Sequence, residues 1–265
     1  GVAAPGYIDA SNKVYDENLW TLNPALIQDV GPVSLHMEGI YQFSSRKMDK
    51  TLNPGVPDYK TEGWGAYVDG LYNYGPGDAV FMFAYQQGAN YARNRNTDGV
   101  MRGQLQSINS GACEHAPFLV FYDRLLFTTF GAYDSAFGKW GTQTGSYGQN
   151  WSTAHWTLGL TVDHNLTENL ILRTGLGYFE LTSAPTKAQL ASAGVTTKGG
   201  YAITSNPSKD LGWEFDLGAV FKINENMHFT SMGGYFVAGN AWKWGADGYD
   251  VGNAWVWKNQ LRFNF

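Results

Sequence analysis

Apolar and polar residues alternate with period two along most of this chain, which places one set of side chains on each face of an extended strand. Residues 211–223 show it most cleanly. One set is Leu211, Trp213, Phe215, Leu217, Ala219, Phe221 and Ile223; the other is Gly212, Glu214, Asp216, Gly218, Val220 and Lys222. In 255–265 the sets are Trp255, Trp257, Leu261, Phe263 and Phe265 against Lys258, Gln260, Arg262 and Asn264. The alternation predicts antiparallel strands over 31–43, 64–74, 79–87, 156–163, 169–180, 211–223, 227–238 and 254–265, with a weaker strand inside 19–28. Leu172, Leu217, Phe229 and Phe263 are expected to point outward, and Glu214, Asp216 and Arg262 inward.

The connections divide by length. Short ones at 75–78, 163–169 and 224–226 carry Gly, Pro, Asp and Asn, the chemistry of hairpin turns. Long ones cover 44–63, 87–155, 182–210 and 239–253. Short turns at one end and long polar loops at the other describe an up-and-down antiparallel sheet. Aromatic residues sit at strand ends (Trp64, Tyr74, Trp156, Tyr178, Trp213, Tyr235, Trp255, Trp257), with Leu, Val, Ala, Phe or Gly between them. The two interfaces of a bilayer select that distribution. A soluble sandwich would bury its apolar faces in a common core, which leaves the polar second face and the sorted loops unconnected.

The expected fold is therefore all-β: a transmembrane antiparallel up-and-down β-barrel, or the C-terminal part of a larger one. Counting the weak strand gives an odd total, against the even number usual in bacterial single-chain barrels. Residues 1–265 are accordingly read as one barrel domain from which N-terminal strands of a larger barrel are missing, with 88–154 as a long extracellular loop region. A small self-closed barrel is the alternative. An open sheet is not, because unpaired edges in hydrocarbon are too costly.

Composition narrows the class further. Charged residues make up 15%, well below the roughly 25% of ordinary soluble domains. Aromatics also reach 15%, the opposite of a disordered signature. A net charge of −5 without a basic stripe excludes a nucleic-acid partner. The single Cys113 cannot form an internal disulfide. No run approaches the ~18 apolar residues of a membrane helix. The opening Gly1-Val2-Ala3-Ala4 has no basic and apolar leader pattern, so an export signal is expected to have been removed or the start of the chain to be lacking.

The final Gln260-Leu261-Arg262-Phe263-Asn264-Phe265 resembles the C-terminal strand of bacterial outer-membrane β-barrels, with Phe last and apolar residues alternating back from it. That resemblance implies a bacterial outer-membrane location and recognition by the barrel-insertion machinery. Three hairpin fragments resemble porin-like channels of the alginate-export type. They are Gly31-Pro32-Val33-Ser34-Leu35 with Ile40-Tyr41-Gln42-Phe43, then Gly65-Ala66-Tyr67-Val68, and Leu158-Gly159-Leu160 with Leu170-Ile171-Leu172. The basic cluster of that family has no matching run of Arg and Lys here.

The inward set supplies the candidate pore-lining charges: Glu38, Asp69, Asp163, Arg173, Glu214, Asp216, Lys222, Lys258 and Arg262. Both signs occur, so no single-sign selectivity follows. Arg173 and Asp216 lie on neighbouring strands and could pair across the wall. The 87–155 connection holds Arg93, Arg95, Arg102 and Arg124 and the apolar stretch 117–130. That stretch reads either as a folded-in loop that narrows a pore or as a hairpin or subunit contact.

Enzyme signals are weak. His36, His115, His155, His164 and His228 have no metal-ligand spacing, and Cys113 near His115 makes no nucleophilic pair. Ser34 and His36 share a face without an oxyanion motif. Gly175-Leu176-Gly177 lies mid-strand with no helix to follow, so it is no dinucleotide loop. Asn165-Leu166-Thr167 falls in a short turn. The residues point to a passive outer-membrane diffusion channel for small hydrophilic solutes, not an enzyme, without a cofactor. Its partners would be outer-membrane lipid, the insertion machinery, the solutes and further copies of itself. A structural sleeve around a partner protein and a barrel enzyme remain the alternatives.

Overall fold

A computed structural model of the chain describes residues 14–48, 50–51, 58–87, 100–102, 155–192 and 195–264. The 117–130 stretch, nearly all of 88–154, the first four residues and Phe265 lie outside the described residues.

The architecture is all-β. The main sheet is built from β1 (Val14–Leu22), β2 (Ala25–Val30), β3 (Val33–Met48), β4 (Tyr59–Asn73), β5 (Gly77–Gln86), β7 (His155–Thr167), β8 (Leu170–Leu181), β11 (Asp210–Asn224), β12 (Met227–Ala238) and β13 (Ala254–Phe263). Their order is β1-β3-β4-β5-β7-β8-β11-β12-β13, every step antiparallel between sequence neighbours. β2 also pairs with β3 and continues the line of β1 after a break at Asn23-Pro24. The weak strand inside 19–28 is thus real. The break, where Pro24 has no N–H to give, is what blurred its pattern. β6 (Val100–Arg102) adds a short parallel contact to the start of β4.

The eight main strands fall where the alternation places them, with three extensions. β3 runs on to Met48 and β4 begins at Tyr59, so half of the expected 44–63 loop is strand. Ser44, Ser45 and Arg46 pair there with Thr61, Lys60 and Tyr59, a stretch polar enough on both faces to show no apolar period. β7 likewise continues to Thr167, and its turn is only Glu168-Asn169.

The four short turns all lie at one end of the sheet, at 31–32, 74–76, 168–169 and 225–226. The long connections all lie at the other. We call these the turn end and the loop end. Nine strands in line separate β1 and β13 by an even number of antiparallel steps, so the two edges run in the same direction. They are not paired with each other among the described residues. An all-antiparallel closure would need an odd number of further strands.

Because opposite residues in an antiparallel ladder share a face, the register carries one face identity across the whole sheet. The outer face runs through Tyr41, Trp64, Phe83, Leu158, Leu160, Leu176, Phe215, Leu217, Phe229 and Leu261. It is apolar and open: Leu217 is 60% exposed, Phe215 50% and Leu261 49%. An aromatic row crosses it near the loop end. Trp64 stacks on Tyr85 at 4.5 Å, Trp156 meets Tyr178 at 5.3 Å, and Tyr178 meets Trp213 at 4.8 Å between ring centres. Phe221, Phe229 and Phe263 lie toward the turn end. From Trp213 to Ile223 the strand rises about 33 Å, or ~25 Å of height at the ~40° tilt common in such walls, which is the height of a lipid-facing band.

Two loops fold over the other face. The 182–209 connection contains helix α1 (Lys187–Ser192) and the hairpin of β9 (Thr197–Lys198) and β10 (Tyr201–Ala202). Thr186 and Gln189 cap α1 reciprocally: the Thr186 N–H donates to Gln189 Oε1 at 2.7 Å and the Gln189 N–H to Thr186 Oγ1 at 3.3 Å. The 239–253 connection opens with a 3₁₀ turn at Asn240–Lys243. Leu190, Ile203, Trp244 and Ala246 form a small core that joins the two loops. The Thr204 N–H donates to the Gly245 carbonyl at 2.8 Å, and the Lys198 ammonium lies 4.4 Å from the Trp244 ring. Burial lowers the pKa of Lys198 from the ordinary lysine range.

One bulge ties this cap to the sheet. The β8–β11 register shifts between Asp210 and Gly212, and Gly212 adopts φ 125°, a conformation side chains oppose. A Cβ there would also overlap the carbonyl oxygen of Val237. The bulge buries the Leu211 side chain and presents its carbonyl to two loop donors, the Gly239 N–H at 2.8 Å and the Trp242 indole N–H at 2.6 Å. Gly212→Ala is therefore expected to cost about 1–3 kcal/mol, read as a lower midpoint in the heat-induced gel shift of the folded protein. An unchanged midpoint would show that the bulge is not strained.

Candidate functional site: the inner face of the sheet

The inner face is set by the same ladder. Glu38 lies opposite Tyr67, Asp69 opposite His36, Arg173 opposite Asp163, Lys222 opposite His228, Arg262 opposite His228, and Lys258 opposite Met232. Glu214 and Asp216 face Gly177 and Gly175 on β8. Followed from β3 to β13, all eight candidate charges (Glu38, Asp69, Arg173, Glu214, Asp216, Lys222, Lys258, Arg262) share this face, and Asp163 joins them.

Their surroundings differ. On β3 and β4, His36 bridges two carboxylates, with Nε2 2.9 Å from Glu38 Oε1 and Nδ1 3.3 Å from Asp69 Oδ2. The edge of its ring meets Tyr67 at 5.9 Å. On β7 and β8, Arg173 grips Asp163 with two parallel bonds: Nε donates to Oδ1 at 2.7 Å and Nη2 to Oδ2 at 2.5 Å. This corrects the expected Arg173–Asp216 pairing. Asp216 sits opposite Gly175, and the guanidinium instead takes the carboxylate directly across the β7–β8 hairpin. A planar fork matched to a planar carboxylate is the stronger arrangement.

Acidic side chains gather on one side of the sheet, with Glu38, Asp69, Asp78 and Asp163 on β3, β4, β5 and β7. Beyond Arg173 both signs occur, with Glu214, Asp216 and Lys222 on β11 and Lys258 and Arg262 on β13. Lys258 and Arg262 are exposed, but Glu214 and Asp216 are buried, at 0% and 5%.

Beside the buried Gln42, Ser44 and Thr157, the loop end of this face is largely apolar. Met82, Phe179, Leu181, Leu211, Phe236 and Ala241 form a buried cluster against which Tyr67, Ala84, Trp242 and Val256 pack. The expectation of a polar second face along its full height is corrected there. Tyr178-Phe179 and Tyr235-Phe236, adjacent aromatics in the two strands that flank β11, are the sequence signal for apolar residues on both faces. Among the described residues no three of His, Cys, Asp and Glu group as metal ligands, and no helix is long and apolar enough to cross a membrane, which says nothing of strands. Ser34 and His36 share the inner face, but the ring nitrogens of His36 engage Glu38 and Asp69.

An antiparallel up-and-down wall with an open apolar outer face, aromatic girdles and a charged inner face defines the class: an all-β barrel-type protein. No family model and no curated protein matches the chain by sequence. Among solved structures it is similar to the crystal structure of a Pseudomonas aeruginosa FadL homologue, at 12% identity and a TM-score of 0.38. The match covers 86% of this chain and 52% of that one, so this chain spans about half its length.

Proposed function

We propose that the protein forms part or all of a bacterial outer-membrane β-barrel that acts as a passive diffusion channel for small hydrophilic solutes. One observation carries this reading: the register runs continuously through the strand centres from β3 to β13, with bulges only near strand ends, and puts an exposed apolar band on one face and every candidate charge on the other. An apolar surface of that extent is not left in water by soluble monomers. In a bilayer it is satisfied by lipid, and the charged face then borders a wet passage. The outer membrane is where strands rather than helices span. The likeness to alginate-export channels rests on three hairpin fragments, so the solute class stays at small hydrophilic molecules.

Transport on this reading is diffusion. The backbone sets the width, and the charges on the wall set a local field that favours polar solutes over apolar ones. No cofactor and no covalent step are needed. Purified protein reconstituted into a planar bilayer should give discrete current steps, and in vesicles it should admit small sugars. Silent bilayers together with a stoichiometric co-purifying protein would favour the sleeve; lipid turnover without conductance would favour the enzyme.

A further inference from the structure

We infer that Trp242 is the constriction residue of the passage and sets its size limit, an assignment that rests on the channel reading above. The residue comes from a connection whose sequence offers no apolar run, and four observations place it.

First, the 3₁₀ turn at Asn240–Lys243 lies against the inner face, not beyond the rim. Ala241 is buried in the cluster with Phe179 and Phe236, both inward by register, and the Trp242 ring stands edge-on to Phe236 at 6.0 Å and 83°. Second, the indole is tied down: its N–H donates to the Leu211 carbonyl at 2.6 Å, which the Gly212 bulge turns toward it. Third, the segment is braced from behind. Trp244 and Ala246 pack with Leu190 and Ile203 of the other loop, Ser205 and Thr204 donate backbone N–H groups to Gly245, and Ile203 bridges Ala246. Fourth, Trp242 is only partly buried, so it keeps accessible surface and is not closed into the cluster it packs against.

A bulky ring fixed at one edge and supported by a folded cap cannot swing as a free loop would. It stands on the apolar cluster at the loop end, beside a stretch of wall lined by Gly175, Gly177 and Gly234, which leave space rather than fill it. An apolar projection in a narrow aqueous path limits both cross-section and wetting. An infolded element thus lies in 239–253; the 117–130 stretch lies outside the described residues.

The test is single-channel recording of wild type, Trp242→Ala and Trp242→Phe, each first shown to be folded by its heat-induced gel shift. Trp242→Ala should raise the conductance by about twofold or more and admit larger sugars in vesicle swelling. Trp242→Phe keeps the contact with Phe236 but loses the N–H bond, and should open the passage less. A silent wild type with a conducting Trp242→Ala also supports the assignment. Unchanged conductance and size limit in a folded variant, with a conducting wild type, overturn it and leave the channel reading intact. Should Trp242→Ala not fold, the Phe variant decides by the same criterion. Silence of wild type and both folded variants overturns the channel reading as well.

Discussion

Leu217→Arg should destabilise the folded barrel by about 2–4 kcal/mol, whereas Thr230→Arg should change it little. Leu217 lies near the middle of the outer band, 60% exposed, flanked by Thr174 on β8 and Gly233 on β12. A guanidinium there has hydrocarbon for a neighbour and no acceptor within the sheet. Thr230 lies three residues nearer the turn end on β12, between Val220 and Gln260 on the inner face. Equilibrium unfolding in urea from phospholipid vesicles checks the pair. Equal costs at the two positions, or a greater cost at Thr230, would mean that the faces are exchanged.

Arg173→Glu should move the reversal potential strongly toward cation permeation. In the wild-type wall the guanidinium neutralises Asp163, and Asp78 lies directly across from Asp163 on β5. Substitution removes one positive charge and leaves a new carboxylate in line with both acids. Field focusing between low-dielectric walls amplifies such a change, and weaker screening amplifies it further at low salt. The stability cost should be secondary, since the Arg173 and Asp163 side chains keep 41% and 31% of their surface in solvent. Arg173→Gln should give a shift of the same sign and smaller size. A reversal potential that is unchanged in a salt gradient for both variants would remove Arg173 from the conducting path.

How much of this was legible before folding depends on whether a feature is local to one strand. Facing is local: in 211–223 the alternation of Trp213, Phe215 and Leu217 with Gly212, Glu214 and Asp216 already separates the faces. The sorted turns and loops then align the strands. Pairing is not local. Arg173 and Asp163 are partners because both lie five residues from Glu168, a relation hidden while the turn was placed across 163–169. The bulge at Gly212 was equally silent. Its cause is a close approach to Val237 on another strand, and Leu211 reads in sequence as one more outward residue.

The apolar loop end of the inner face went unread for a related reason. Phe179 and Phe236 occupy positions that strict alternation assigns to a polar face, and what they pack against arrives from connections without periodicity. The row of acids Glu38, Asp69, Asp78 and Asp163 shows only once β3, β4, β5 and β7 are seen side by side.

Site-directed spin labelling in lipid vesicles tests the two-faced wall most directly. With Cys113 replaced by Ser, single labels would be placed at Leu160, Leu176, Leu217, Phe229 and Leu261, and at Thr161, Ile171, Val220, Thr230 and Gln260. The first five should relax with lipid-soluble oxygen and resist a water-soluble nickel chelate. The second five should do the reverse. Oxygen-dominated relaxation at both sets, or nickel access at both, would contradict a wall with lipid on one side and a wet passage on the other.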